Sequence, residues 1–188
     1  MPTDRFTLRG VAASLAGVSL LQTVTALKLE GDASRSNAIG ATVCLVAYLH
    51  YTWMRESTGK VASLQLRYSD WVVTCPLLLW ELSLQCGVGG EPLAKCVALV
   101  LLMLGLGYVS ARSDGWRRNG SFLLSCVAFV LAVHLFLSSA TKHAALARAF
   151  FAVWGMYPIA FLFGNESAFD TLDLVSKAGF GMYVSTKG

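Results

Sequence analysis

A chain of 188 residues that is 55% hydrophobic and only 14% charged lacks the polar surface of a water-soluble fold, which usually carries about a quarter charged residues. Its net charge of +4 is spread thinly, with no basic run, and gives no support to a nucleic-acid partner. The five cysteines show no CxxC spacing and read as small core residues; no metal site and no disulfide framework is expected.

In chain order, polar breaks leave seven apolar segments. The first covers residues 6–27; no basic lead and cleavage site accompany it, so it is expected to be a retained span. The second covers residues 38–54, after KLEGDASRSN, and carries YLHYTWMR near its end. The third covers residues 64–86 and stops at GVGGEP, and the fourth covers residues 93–111 and stops at RSDGWRRNG. The last three cover residues 121–137, 144–163 and 168–184. A span needs about 20 residues at a rise of about 1.5 Å each. Backbone groups in lipid must pair within their own segment, so each segment is expected to be a helix. The expected fold class is an all-α integral membrane protein: one domain over residues 1–188, built as a seven-transmembrane-helix bundle. With the amino terminus outside, six basic residues fall on the inner side and seven on the outer (Arg5, Lys60 and Lys187 among the thirteen), so charge does not settle the orientation.

Ionisable groups inside a span are costly and mark function. The third segment reads LRYSDWVVTCPLLLWELSLQC, in which Arg67, Asp70, Thr74 and Glu81 follow at steps of three, four and seven. Those steps keep all four on one helix face. Asp70 and Glu81 lie about 16 Å apart along the axis, like two stations for a proton. Pro76 between them frees a backbone carbonyl. A structural Arg67–Asp70 salt bridge would use the same spacing.

The seventh segment reads FDTLDLVSKAGFGMYV, with Asp173 and Lys177 one turn apart. Lys177 lies 12 residues past Asn165, near mid-bilayer. Burial disfavours its charged form, and a neutral amine is a nucleophile toward an aldehyde, giving an imine. The protonated imine is a cation that needs buried anions, and Asp70 and Asp173 are the candidates. A Lys177–Asp173 pair that merely joins helices is the alternative. In the sixth segment, FFAVWGMYPIAFLFG, the rings of Trp154, Tyr157 and Phe161 share one face and suit a flat conjugated ligand. Such a stripe also serves ordinary helix packing.

These residues resemble the microbial (type I) rhodopsins, and within them the proteorhodopsins. RYSDWVVTCPLL is similar to the third-helix signature of that family, DLVSKAGFG to its lysine signature, and WGMYP stands between them. The resemblance extends from about Tyr48 to Tyr183. It implies all-trans retinal held in the bundle interior as a Schiff base on Lys177, with Asp70 as primary counterion and proton acceptor and Asp173 as second counterion. It implies that Arg67 orients this complex, that Thr74 hydrogen-bonds Asp70, and that His50 pairs with Asp70. Glu81 matches the acid that returns a proton from the cytoplasmic side, and in its apolar setting the neutral acid is the expected resting form. For the retinal pocket the resemblance points to Trp71, Cys75, Leu78, Met103, Gly107, Trp154, Tyr157, Pro158 and Phe161. The resemblance to proteorhodopsins also implies green absorption from a leucine at Leu78.

Two departures stand out. The stretch from Trp154 to Lys177 is short, leaving Glu166 and Asp170 as the outer acids. Cys75 matches a channelrhodopsin cysteine, but the fourth-helix acid that partners it there is absent, its place falling near Val100. The implied function is a light-driven outward proton pump in the cell membrane, not an enzyme, with the amino terminus outside. A light-gated channel and a photosensor are the alternatives; neither needs an acid at Glu81. The expected partners are protons, the lipid bilayer and further copies of the chain in a homo-oligomer.

Overall fold

The computed structural model describes residues 5–56 and 60–186, with side chains from residue 8 and again from residue 61 onward. Arg5, Lys60 and Lys187 of the charge balance above lie outside the described side chains. Among the described residues there are seven helices and no strand. They are α1 (Arg5–Lys28), α2 (Gly31–Glu56), α3 (Lys60–Cys86), α4 (Gly90–Ala111), α5 (Gly115–Ser139) and α6 (Ala144–Phe163). The last, α7, runs from Glu166–Asp173 through a π-helical stretch at Leu174–Gly179 into Phe180–Ser185.

The helices reach beyond the apolar segments. α2 begins at Gly31 rather than residue 38, and α5 at Gly115 rather than residue 121, so the expected loops GDASRSN and GWRRNG are helical turns. Only Leu29 and Glu30 separate α1 from α2. Apolarity is required of a helix only where it meets lipid. Asp32, Arg35, Arg117 and Arg118 are exposed and extend their helices past that zone.

α4, α5, α6 and Leu8–Lys28 of α1 are long and apolar enough to cross a membrane. Among the described residues the buried charged groups all lie on α3 and α7, which turn them inward. The outer surface is apolar: Leu102, Leu123, Val130, Leu162 and Phe163 are all exposed, the inverse of a soluble protein. Each helix packs against its neighbours in sequence, and α7 returns to α1 and α2, which closes the ring. One apolar core joins α3 to α6 and includes Leu78, Leu79, Phe136, Phe151 and Trp154. A second joins α1 and α2 around Leu15, Cys44 and Ala47. The polar centre lies between them.

Two local features aim α7 at that centre. Gly164 adopts φ +61°, a left-handed conformation that ends α6, and its N–H returns to the Phe161 carbonyl at 3.2 Å. Asn165 then caps α7 by accepting a hydrogen bond from the Ala168 N–H at 3.1 Å. Further along, the π-helical stretch widens one turn, and three successive residues, Ser176, Lys177 and Ala178, are buried there. α3 stays helical through Pro76, which has no N–H to give the Val72 carbonyl.

Candidate functional site

Lys177 is 2% exposed, and its Nζ forms an ion pair with Asp70 Oδ2 and lies 3.2 Å from Asp173 Oδ2. Burial is therefore not the only influence on this amine, because two carboxylates face it. Asp70 and Asp173 are both fully buried, yet their surroundings differ sharply. Three donors converge on Asp173. Tyr157 Oη donates to Oδ1 at 2.6 Å, Trp71 Nε1 to the same oxygen at 3.0 Å, and Tyr51 Oη to Oδ2 at 2.9 Å. Asp70 has the lysine on Oδ2 and no partner on Oδ1 among the described residues.

A second ion pair lies toward the amino-terminal ends of α3 and α7. Arg67 Nη2 donates to Asp170 Oδ1 at 2.8 Å, both side chains being buried. Tyr51 bridges the two layers, since its hydroxyl lies 3.2 Å from Asp170 Oδ1 as well as beside Asp173. Arg67 therefore does not pair with Asp70. Its partner is the acid one turn before Asp173, because that carboxylate faces the same layer. Across both layers two cations face three carboxylates. Such pairs hold together in a low dielectric only when their remaining hydrogen bonds are met. Tyr51, Trp71 and Tyr157 meet most of them.

Two expected contacts are made differently. Thr74 Oγ1 donates to the main-chain carbonyl of Asp70 at 2.9 Å rather than to its carboxylate, the usual back-bond of a threonine to the residue one turn earlier. His50 Nδ1 lies 2.9 Å from the Val46 carbonyl and its ring meets Trp53 edge-on at 5.3 Å; no hydrogen bond joins it to Asp70. Glu81 is fully buried next to Leu79 and Leu82, but Trp80 turns outward and is half exposed. Neither Glu81 carboxyl oxygen has a hydrogen-bond partner among the described residues.

Beside Lys177 a narrow cavity of about 70 Å³ is lined by Trp71, Cys75, Leu78, Met103, Trp154 and Pro158, among others. A wider cavity of about 410 Å³, bordered by Gly107, Phe161 and Phe122, shares six lining residues with it, from Trp71 to Pro158. The narrow space alone holds no sizeable ligand. The shared walls continue it into a volume within the range of ligand pockets, about 300–1,000 Å³. Phe129 of α5 borders both cavities.

Sequence reasoning passed over Tyr51, Asp170 as the partner of Arg67, and Phe129. Asp170 was open to it, since it lies three residues before Asp173 and seven before Lys177 on one face. Tyr51 gave no such signal, because a buried tyrosine beside a histidine fits ordinary packing equally well.

Solved structures share the fold. The viral rhodopsin OLPVRII superposes with a TM-score of 0.89 at 20% identity, covering 97% of this chain and 96% of that one. The light-driven proton pump LR (Mac) from Leptosphaeria maculans superposes with a TM-score of 0.82 at 21% identity, covering 97% and 94%. Among curated proteins, cruxrhodopsin-3 of Haloarcula vallismortis is 31% identical over an alignment of 199 positions that covers 81% of this chain and 78% of that protein. Sensory rhodopsin III of Haloarcula marismortui is 28% identical, covering 61% of this chain and 60% of its own length. Residues 2–186 match the model of the family described as bacteriorhodopsin-like protein. The chain therefore belongs to the bacteriorhodopsin-like family and is a multi-pass membrane protein of the microbial rhodopsin type.

Proposed function

We propose that this protein is a light-driven outward proton pump carrying all-trans retinal covalently on Lys177, with its amino terminus outside the cell membrane. The observation that carries the reading is the difference between the two aspartates at Lys177: Asp173 is held by three donors, whereas Asp70 keeps an oxygen without a partner. Bound retinal supplies light absorption and a change of shape at the Lys177 nitrogen. Trp71, Cys75, Leu78, Met103, Trp154, Tyr157 and Pro158 line the narrow cavity beside Lys177 and would hold retinal there, and Gly107 and Phe161 line the wider cavity that continues it.

The protein groups divide the proton's route. Lys177 Nζ holds the proton in the dark, paired with Asp70 and Asp173. Asp70 takes it, because it already faces Nζ and its second oxygen is uncommitted. Asp173 has little to gain from a proton, since its lone pairs already receive Tyr51, Trp71 and Tyr157. It remains the fixed anion that balances Lys177. The Arg67–Asp170 pair lies on the far side of Asp70 and forms the exit layer. On the opposite side Glu81 reloads Lys177, and Leu78, Leu79 and Leu82 keep the two stretches apart at rest. An acid on each side of one switching nitrogen gives transport a direction.

The reading is tested by light-evoked current under voltage clamp. A pump gives outward current at every holding potential near rest. A current that reverses with potential would assign the protein to the channels, and a photocycle without any current would assign it to the sensors.

A further inference from the structure

Gln22 of α1 is fully buried, lies outside the Lys177 centre, and has no hydrogen-bond partner for either its Oε1 or its Nε2 among the described residues. The two carboxyl oxygens of Glu81 share that condition. All four atoms belong to one place. A Cβ added at Gly40 of α2 would overlap Gln22 Nε2 and come within 2.7 Å of Glu81 Oε1. A Cβ added at Gly181 of α7 would come within 2.7 Å of Gln22 Oε1. Two glycines on two other helices thus make the space in which an α1 amide faces an α3 carboxyl.

This place lies on the column of Lys177, because Lys177, Gly181 and Ser185 follow one another at steps of four along α7. Polar pairs continue beyond it toward the start of α2. Ser185 Oγ donates to Asn37 Oδ1 at 2.7 Å, and Gln85 Nε2 donates to Ser36 Oγ at 3.0 Å. Helix packing alone does not account for a glutamine here, since a buried amide without partners is unfavourable where leucine or methionine would pack as well.

We infer that Gln22 is a positioning residue for Glu81, its amide seated between Gly40 and Gly181 so that it holds the carboxyl in both of its protonation states. The amide suits both states chemically. Its Nε2–H, at Gly40 beside Glu81, donates to the carboxylate left when the proton departs, and the amide turned over presents Oε1 to accept from the O–H of the neutral acid. The functional weight of this contact rests on Glu81 being the reloading acid proposed above.

The test uses the full chain with retinal in lipid vesicles, carrying ¹³C at the glutamate side-chain carboxyls. The Glu81 resonance is identified by its loss in Glu81→Gln. Gln22→Met keeps the length and removes the amide; the Glu81 resonance is expected to move in the dark. Return of the proton to the Lys177 nitrogen after a flash is expected to slow on the order of fivefold, the factor carried by one hydrogen bond. The first transfer to Asp70 keeps its rate. Gly40→Ala retains Gln22 but displaces its amide, is expected to move the same resonance, and serves if Gln22→Met does not fold. A Glu81 resonance unmoved in the variants that keep their visible band overturns the inference. A resonance that moves while Glu81→Gln recovers at the original rate upholds the contact and removes the reloading role of Glu81.

Discussion

Replacing Glu81 by glutamine isolates the reloading half of the proposed cycle. The side chain is fully buried, 11 residues beyond Asp70 on α3, which is about 16 Å along the axis. Leu78, Leu79 and Leu82, at 1%, 0% and 0% exposure, fill the turns around it. With Glu81 present the donor is built in, so proton return to Lys177 does not depend on the proton concentration of the medium. Glu81→Gln keeps volume and polarity and removes the proton, leaving only bulk protons to cross that apolar stretch. Each pH unit then changes the proton's chemical potential by about 1.4 kcal/mol, or about tenfold in rate. Flash absorbance is expected to show recovery slowing about a hundredfold between roughly pH 6 and roughly pH 8 in the variant, against a nearly flat profile in the original protein. The rise that reports transfer to Asp70 is expected to be the same in both. A flat profile in Glu81→Gln would refute the reasoning.

Lys177→Ala removes the one buried lysine amine among the described residues and is expected to give colourless protein on addition of retinal; a visible band that survives acid denaturation would put the attachment elsewhere. Asp70→Asn removes a carboxylate that pairs with Lys177 and is expected to shift the visible band to longer wavelength and to abolish transport, read from the dark spectrum and from vesicle pH. Arg67→Gln breaks the buried pair with Asp170 and is expected to cost about 3–5 kcal/mol in thermal or denaturant unfolding, because it strands a charge. Adding Asp170→Asn is expected to recover part of that loss, and a double variant no more stable than Arg67→Gln would deny the pairing.

The bundle was legible because seven apolar stretches in so short a chain leave few other solutions. Helix ends were not, because polar turns such as GDASRSN continue a helix as well as they form a loop. The Lys177 centre was legible from single residues: an aspartate and a lysine one turn apart in an apolar segment, and a second aspartate in another, had to meet. Which partner each charge takes was not legible. Arg67 has Asp70 three residues away on its own helix, yet it reaches across to Asp170, and only the assembled bundle, which brings that α7 carboxylate to its layer, decides that. Thr74 bonds the backbone of Asp70 because its own helix offers that acceptor first. Gln22 was illegible for a further reason. Its meaning depends on Gly40 and Gly181, two glycines far apart in sequence that signal nothing until the helices are assembled.

The central claim, light-driven outward proton transport along Glu81, Lys177 and Asp70, is tested most directly by the pH of an unbuffered suspension of cells that express the protein with retinal. Illumination is expected to acidify the medium, a protonophore to abolish the change, and Asp70→Asn to remove it while the cells remain coloured. Coloured cells whose medium keeps its pH in the light, or acidifies equally with Asp70→Asn, would contradict the account.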